Sequence, residues 1–328
     1  PPPLFSFAPT YAANGLTPLG YPLVNAAPPA PACWLLWRLA HRVTADAATA
    51  AIAALLFAVH PVHVEAVAGV VGRAEVLSSV FLMLGLLTVL TPGAPPSLAR
   101  TAASWPLFAL ALLAKETAIC YPAVVLALWL ATLRERTPPL HWWLVRAAAL
   151  VVPAALYLGL RYVALDGTLI RGSPAAEQMN PFAAAVGFER VLGVFTALGH
   201  YARLIVVPRV LSFDYGLAVI DARRGFELMT AVGLIAAAAW IVGLAQVRSI
   251  SPPRRLIGAL SLALLASYVL ISNSVLLIGV GVAERLMYWP SAIALLIAAV
   301  LARGFWTHAA TTASPGADRR PLLRVLGV

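Results

Sequence analysis

The chain has 328 residues, of which 61% are hydrophobic and 11% charged, with a mean hydropathy of +0.87. Soluble domains are about half apolar and about a quarter charged, so a soluble globule, a disordered tail and a disulfide scaffold are excluded. The net charge of +10 is scattered between apolar runs and not gathered on one face, which excludes a nucleic-acid surface.

A membrane-crossing helix needs about 20 mainly apolar residues. Windows that meet or approach this are 21–41, 46–62, 76–91, 102–115, 117–133, 142–161, 228–247, 256–272 and 287–303. Breakers separate them, among them Thr91-Pro92-Gly93, Pro138-Pro139 and Pro252-Pro253. The pattern predicts an all-α, polytopic transmembrane bundle of about nine to ten spanning segments. A further run, 183–207, contains Glu189, Arg190, His200 and Arg203, which suit a helix lying along the interface or re-entering better than one crossing the bilayer. Residues 162–226 are therefore read as a loop region on one side of the membrane. Pro321 to Val328 read as the start of one more helix, and the chain as a fragment (1–328) of a longer protein. Cys33 and Cys120 both lie in apolar windows and carry no redox signal. No internal repeat is evident.

Orientation follows from the bases in short loops. Arg38, Arg42, Arg100, Arg134, Arg136, Arg146, Arg248, Arg254, Arg255 and the Arg residues from 303 onward fall on one side, read as cytoplasmic. Among the carboxylates, only Asp46, Glu135 and Asp318 join them; the other ten fall on the lumenal or periplasmic face. A passive bundle has no need of that asymmetry, which places the working surface away from the cytoplasm.

Four polar constellations mark that face. The densest runs from His60-Pro61-Val62-His63-Val64-Glu65 to Gly72-Arg73-Ala74-Glu75. Pro61 ends a helix and turns these side chains out of the bilayer. Arg73 offers a fork of donors suited to phosphate, and Glu65 and Glu75 could orient a hydroxyl or act as bases. A wet membrane loop is the plain alternative. A His60–His63 metal site matches no standard zinc spacing, and no metal site is assigned. Lys115-Glu116-Thr117 follows; Lys115 is the chain's single lysine, and it either snorkels beside Glu116 or meets an anion. In the loop region lies Leu211-Ser212-Phe213-Asp214-Tyr215, with Asp214 beside aromatics. Last comes Glu284-Arg285-Leu286-Met287-Tyr288-Trp289-Pro290, where Glu284 and Arg285 either neutralise each other or leave Arg285 facing a phosphate, and Tyr288 suits an interface.

The stretch Leu56 to Ser79, containing His60-Pro61-Val62-His63-Val64-Glu65 and Val71-Gly72-Arg73-Ala74-Glu75, resembles the signature of the transmembrane, tetratricopeptide-repeat-containing O-mannosyltransferases. Gly20-Tyr21-Pro22-Leu23-Val24-Asn25, Ala114-Lys115-Glu116-Thr117, Leu211 to Tyr215 and Ala283 to Ser291 agree in the same order, although Pro22 stands where the family usually carries His. The resemblance implies a GT-C-type glycosyltransferase of the endoplasmic reticulum membrane, or of the plasma membrane in a bacterial relative. It implies dolichyl-phosphate-mannose as donor, with no certain cofactor and an undetermined need for a divalent metal. Mannose would pass to Ser or Thr hydroxyls of lumenal acceptor proteins, cadherin-like domains in animal relatives, with membrane lipid as the other partner and no nucleic acid. It further implies a first helix and a lumenal acidic pair, the principal catalytic base, before Pro1, and tetratricopeptide repeats after Val328. A chain without that pair is expected to be inactive on its own. Within the chain, Glu65 and Glu75 are then the candidate catalytic acids, and His60, His63, Arg73, Lys115, Glu116, Asp214, Glu284, Arg285 and Tyr288 the candidate substrate contacts. The rival readings are a glycosyltransferase with another polyprenyl-phosphate-linked sugar, a transporter or lipid scramblase, and a non-catalytic membrane scaffold.

Overall fold

A computed structural model of the chain describes residues 2–15, 17, 20–25, 27–91, 95–133, 138–168, 180, 182–183, 185–213, 215–216, 220 and 225–313. Every regular element among the described residues is helical, as the composition implied. Two helices, α1 (Pro2–Asn14) and α2 (Gly20–Asn25), lead into α3 (Pro29–Thr44). Proline suits the first turn of α3 because no amide is needed there, and the helix stops where Ala45 takes a left-handed φ of 54°. Asp46 then caps α4 (Ala47–Val59), its carboxylate accepting from the Thr49 amide at 3.0 Å. His60 and Pro61 break the run, and a 3-10 turn (Pro61–His63) and the short α5 (Val64–Ala68) continue at a bend of 52°.

The chain returns as α6 (Arg73–Val89) and folds into α7 (Leu98–Ala103), α8 (Trp105–Ala114), a 3-10 turn (Glu116–Cys120) and α9 (Tyr121–Thr132). Four longer helices follow: α10 (Leu140–Ala164), α11 (Gly187–Val206), α12 (Leu228–Ala245) and α13 (Pro252–Tyr268). A 3-10 turn (Glu284–Met287) opens α14 (Tyr288–Ala313).

Leu36, Leu86, Val125, Leu128, Leu260 and Leu296, from five of these helices, meet in one buried core. Lipid tails are as apolar as leucine, so close packing and interhelical hydrogen bonds hold such a core together. The Trp129 indole donates to Val89 O at 3.3 Å and the Ser78 hydroxyl to Ala111 O at 3.2 Å. A second cluster, with Val62, Tyr201, Leu204, Ile271, Val282 and Met287, covers one end of the bundle.

Among the described residues, four stretches are long and apolar enough to cross a membrane: Leu140–Ala164, Leu228–Arg248, Pro252–Ile271 and Glu284–Ala309. The bent pair Ala47–Val59 and Pro61–Ala68 makes a fifth if it counts as one span. The described residues thus give four or five crossings, and the nine to ten expected from the sequence are not confirmed. The windows at 76–91, 102–115 and 117–133 do become helices, but α6 has 17 residues and its neighbours Leu98–Ala114 and Glu116–Thr132 are no longer. At 1.5 Å per residue such a helix is about 25 Å long, less than the ~30 Å of hydrocarbon.

Antiparallel α4 and α14 define the two ends of the molecule. At one end the Phe57 ring lies 5.2 Å from that of Tyr288; at the other, Arg303 Nε meets Asp46 Oδ2 at 3.1 Å. The rise per residue puts these ends about 22 Å apart. The run expected to lie along the interface is α11, which packs antiparallel to α12 and carries Tyr201 and Leu204 into the end cluster. The helix expected from Pro321 to Val328 lies outside the described residues.

A cluster of acids and cations at one end of the bundle

The break after α4 builds the first part of the site. His60 Nδ1 accepts from the Val62 amide at 3.2 Å, so Nε2 carries the proton and donates to Ile205 O at 3.0 Å. His63 is buried between the rings of Phe57 (4.2 Å) and Tyr288 (4.8 Å). Its Nε2 lies 2.8 Å from Ser291 Oγ, and that hydroxyl already donates to Tyr288 O at 2.9 Å, so His63 Nε2 is the donor. Both imidazoles thus brace neighbouring segments. Tyr288 is 1% exposed, and its hydroxyl has no hydrogen-bond partner among the described residues.

The carboxylates lie beyond them. From α5, Glu65 takes the Arg285 amide on Oε2 at 2.9 Å and the Arg285 guanidinium on Oε1. In the first turn of α6, Glu75 meets Lys115 Nζ at 3.0 Å. Lys115 stands at the extended break between α8 and the following 3-10 turn, so its side chain leaves the apolar helices and reaches across to α6. The charge of Arg285 acts on Glu75 and Lys115, and that of exposed Glu116 acts on both as well. Glu65 and Glu75, the adjacent Lys115 and Glu116, and Arg285, from separate stretches of the sequence, therefore form one cluster of three acids and two cations. Only 4% of the Glu65 side chain and 5% of the Glu75 side chain are exposed, against 20% for each cation, so the cations are more accessible than the acids they pair with, and Glu116 is exposed.

Glu284 and Arg285, adjacent in sequence, face different partners. Glu284 Oε1 accepts from the Ser212 amide and the Tyr215 hydroxyl, each at 2.7 Å, while Arg285 turns to Glu65. The alternative in which the two neutralise each other is thereby excluded. Burial raises the Tyr215 hydroxyl above its ordinary pKa and the Glu284 carboxylate raises it further, which keeps the phenol protonated and donating. Asp214 lies outside the described residues.

Arg73 is held inside the fold. It is 2% exposed, and its guanidinium donates to Asn25 Oδ1, to Ser6 O at 2.8 Å, to Thr10 Oγ1 at 3.3 Å and to Tyr21 O at 3.5 Å. The Phe7 ring covers it at 4.1 Å. Its donors dock α1 and α2 onto α6. At Gly72 the φ of −66° suits any residue, but a Cβ there would lie 2.2 Å from Ala66 O. Close approach, not turning, requires glycine. Among the described residues, no three His, Cys, Asp or Glu side chains converge as metal ligands.

Sequence reasoning missed Tyr201, whose hydroxyl accepts from the Ala283 amide at 3.2 Å and so pins the Glu284–Met287 turn against α11. Nothing local marks a tyrosine on α11 as its partner. It also passed over Ser212, Tyr215 and Ser291, although each stood inside a stretch singled out for other residues.

No protein-family model matches the chain, and no solved structure does. Among curated proteins, the protein O-mannosyl-transferase Tmtc1 of Drosophila melanogaster is 40% identical over 85 residues. That match covers 26% of this chain and 10% of the relative, so the chain spans about a tenth of the curated protein it matches. The matched relative is an O-mannosyl-transferase, the class that the five ordered motifs resemble. Together with the apolar helices, it makes this a helical membrane-type chain similar in part to a glycosyltransferase.

Proposed function

We propose that this chain is the membrane core of a glycosyltransferase that takes mannose from dolichyl-phosphate-mannose and places it on Ser or Thr hydroxyls of lumenal proteins. The observation that carries the reading is the joining of Glu65, Glu75, Lys115, Glu116 and Arg285 at one end of the bundle. Polyprenyl-phosphate chemistry needs cations for a leaving phosphate and a carboxylate for an attacking hydroxyl, all at the bilayer rim. The partial identity to a protein O-mannosyl-transferase supports the same class.

In this mechanism the acceptor oxygen attacks the anomeric carbon from the side opposite the phosphate, and the configuration inverts. A carboxylate accepts the hydroxyl proton as the bond between the anomeric carbon and the phosphate oxygen breaks. Arg285 and Lys115 meet the charge developing on the departing phosphate. Arg285 holds Glu65. A phosphate engaging the same guanidinium draws it from Glu65 and frees that carboxylate, so donor arrival and base release are coupled. Glu284 anchors the loop carrying Ser212 and Tyr215 over the cluster.

The test is sugar transfer by the full-length protein in microsomes, with labelled dolichyl-phosphate-mannose, other polyprenyl-phosphate sugars and a cadherin-like acceptor domain. Mannose transfer that falls about 100-fold in Arg285→Gln supports the reading. Transfer of a different sugar moves it to another lipid-phosphate donor. Solute or lipid flux in proteoliposomes with no transfer of any sugar would falsify it.

A further inference from the structure

At the other end of the bundle the structure holds a cavity of about 280 Å³, lined by Asp46, Thr49, Pro253, Arg255, Arg303 and Gly304, among others. It lies where α3, α4, α9, α13 and α14 converge. Arg255 is 7% exposed. Its Nε donates to Ala131 O at 3.2 Å and its Nη1 to Ile250 O at 3.5 Å, which leaves Nη2 without a partner among the described residues. Arg303 donates from Nε to Asp46 Oδ2, and neither of its Nη groups has a partner among the described residues. Asp46 is paired through Oδ2, which accepts from the Thr49 amide and hydroxyl and from Arg303. Two guanidiniums against one occupied carboxylate give the described lining a net charge of +1.

The position narrows the ligand. Pro252–Ile271 begins at this cavity, and Glu284–Ala309 ends beside it; both are candidate spans. Close by on the outer surface, Ile250 is 87% exposed, Phe305 76% and Trp306 71%. Exposed aromatics at the end of an apolar helix belong at headgroup depth. Val43, Leu256 and Val300 give the cavity an apolar wall beside the guanidiniums. A singly charged anion attached to an apolar body matches both surfaces, and guanidinium N–H groups suit phosphate oxygens.

The geometry points to a binding site for the phosphodiester headgroup of an anionic membrane lipid between Arg255 and Arg303, on the face opposite the acid–cation cluster. The site stands apart from glycosyl transfer and survives if that reading fails. It ties α4 to α13 and α14 through the ligand, as the Asp46–Arg303 pair ties α4 to α14 directly.

Two substitutions isolate the site. Arg303→Gln removes charge. Gly304→Leu fills the mouth with no change of charge; a Cβ on Gly304 meets nothing within 4 Å, so the helix accepts it. Full-length protein in detergent, stripped of lipid, is titrated with dioleoylphosphatidylglycerol, dioleoylphosphatidylcholine or inorganic phosphate, and bound molecules are counted by native mass spectrometry. The expected result is tighter retention of phosphatidylglycerol than phosphatidylcholine, weakened about tenfold by each substitution, with no change in melting temperature for Gly304→Leu in lipid-free detergent. Equal binding of both lipids by wild type and both variants overturns the site. Occupancy by inorganic phosphate with no preference for phosphatidylglycerol overturns its assignment to a lipid.

Discussion

Glu65 and Arg285 hold the site together at the scale of single residues. A nearly buried ion pair costs desolvation of both charges, and removing one partner strands the other, typically by about 3–5 kcal/mol. Arg285→Gln is therefore expected to destabilise the protein by about 3 kcal/mol, the low end because 20% of that side chain is exposed. Glu65→Leu combined with Arg285→Met recovers most of the loss, because neither charge is then left alone. Thermal unfolding in detergent of the two singles and the double measures the coupling, and additive losses would show that the pair is not coupled. The partners themselves were hidden in the sequence. Glu65 and Arg285 are 220 positions apart, and spacing along the chain says nothing about such a contact. What the sequence did expose was which residues were unusual: an acid, a lysine or an arginine at the end of an apolar window in a chain with 11% charge. Arg73 met the same criterion and turned out to brace α1 and α2. A charge at a helix end announces that it needs partners without saying whether they are substrate or backbone.

Element by element, close approach and capping decide the packing. A Cβ on Gly199 would lie 1.9 Å from Met229 O, and one on Gly233 would lie 1.8 Å from Phe195 O. The backbones of α11 and α12 thus touch through two glycines, and Thr196 and Thr230 share a hydrogen bond of 2.7 Å beside them. Gly199→Leu should separate the helices, withdraw Tyr201 from Ala283 and loosen the turn that presents Glu284 and Arg285. Faster hydrogen exchange at 283–287 is the sign to look for, and unchanged exchange there would dissociate α11 from the site. Asp46 works at the other end. Burial pushes its carboxyl upward, but the Thr49 hydroxyl and amide and the Arg303 guanidinium outweigh this and hold it below the usual range. A depressed acid contributes stability above its unfolded pKa of about 3.9, and that contribution fades as pH falls through the lower folded value. Acid below about pH 4 should therefore fray the start of α4. Asp46→Ala should cost about 1 kcal/mol at pH 7 and less in acid; a constant penalty across that range would assign the effect to packing. Capping was open to sequence reading here, since Asp stands three residues before Thr49 at the edge of an apolar run. The glycine contact was not, because it depends on which helix becomes the neighbour of α11.

For the molecule as a whole, the apolar windows located most helices and missed their lengths. The breaks at Pro61 and Lys115 fall at the edges of windows read from the sequence, and the helices on either side of Lys115 are too short for a full crossing. Composition measures how much apolar surface there is, and only backbone hydrogen bonding fixes where each helix ends. The charge asymmetry survives this revision. Glu65, Glu75, Lys115 and Arg285 gather at one end, while Arg42, which caps Leu87 O and Leu90 O at 2.7 and 2.8 Å, and Arg255 and Arg303 mark the other. If the positive-inside bias orients the bundle, these ends face opposite compartments. Single cysteines test this in a background lacking Cys33 and Cys120. Val71, 67% exposed beside the acid cluster, and Ile250, 87% exposed at the other end, are accessible positions outside both sites. In sealed microsomes a membrane-impermeant maleimide should label Ile250→Cys at once and Val71→Cys only after the membrane is opened. Simultaneous labelling of both would place the acid cluster in the cytosol or both ends on one side, and a lumenal acceptor would then be out of reach of Glu65 and Arg285.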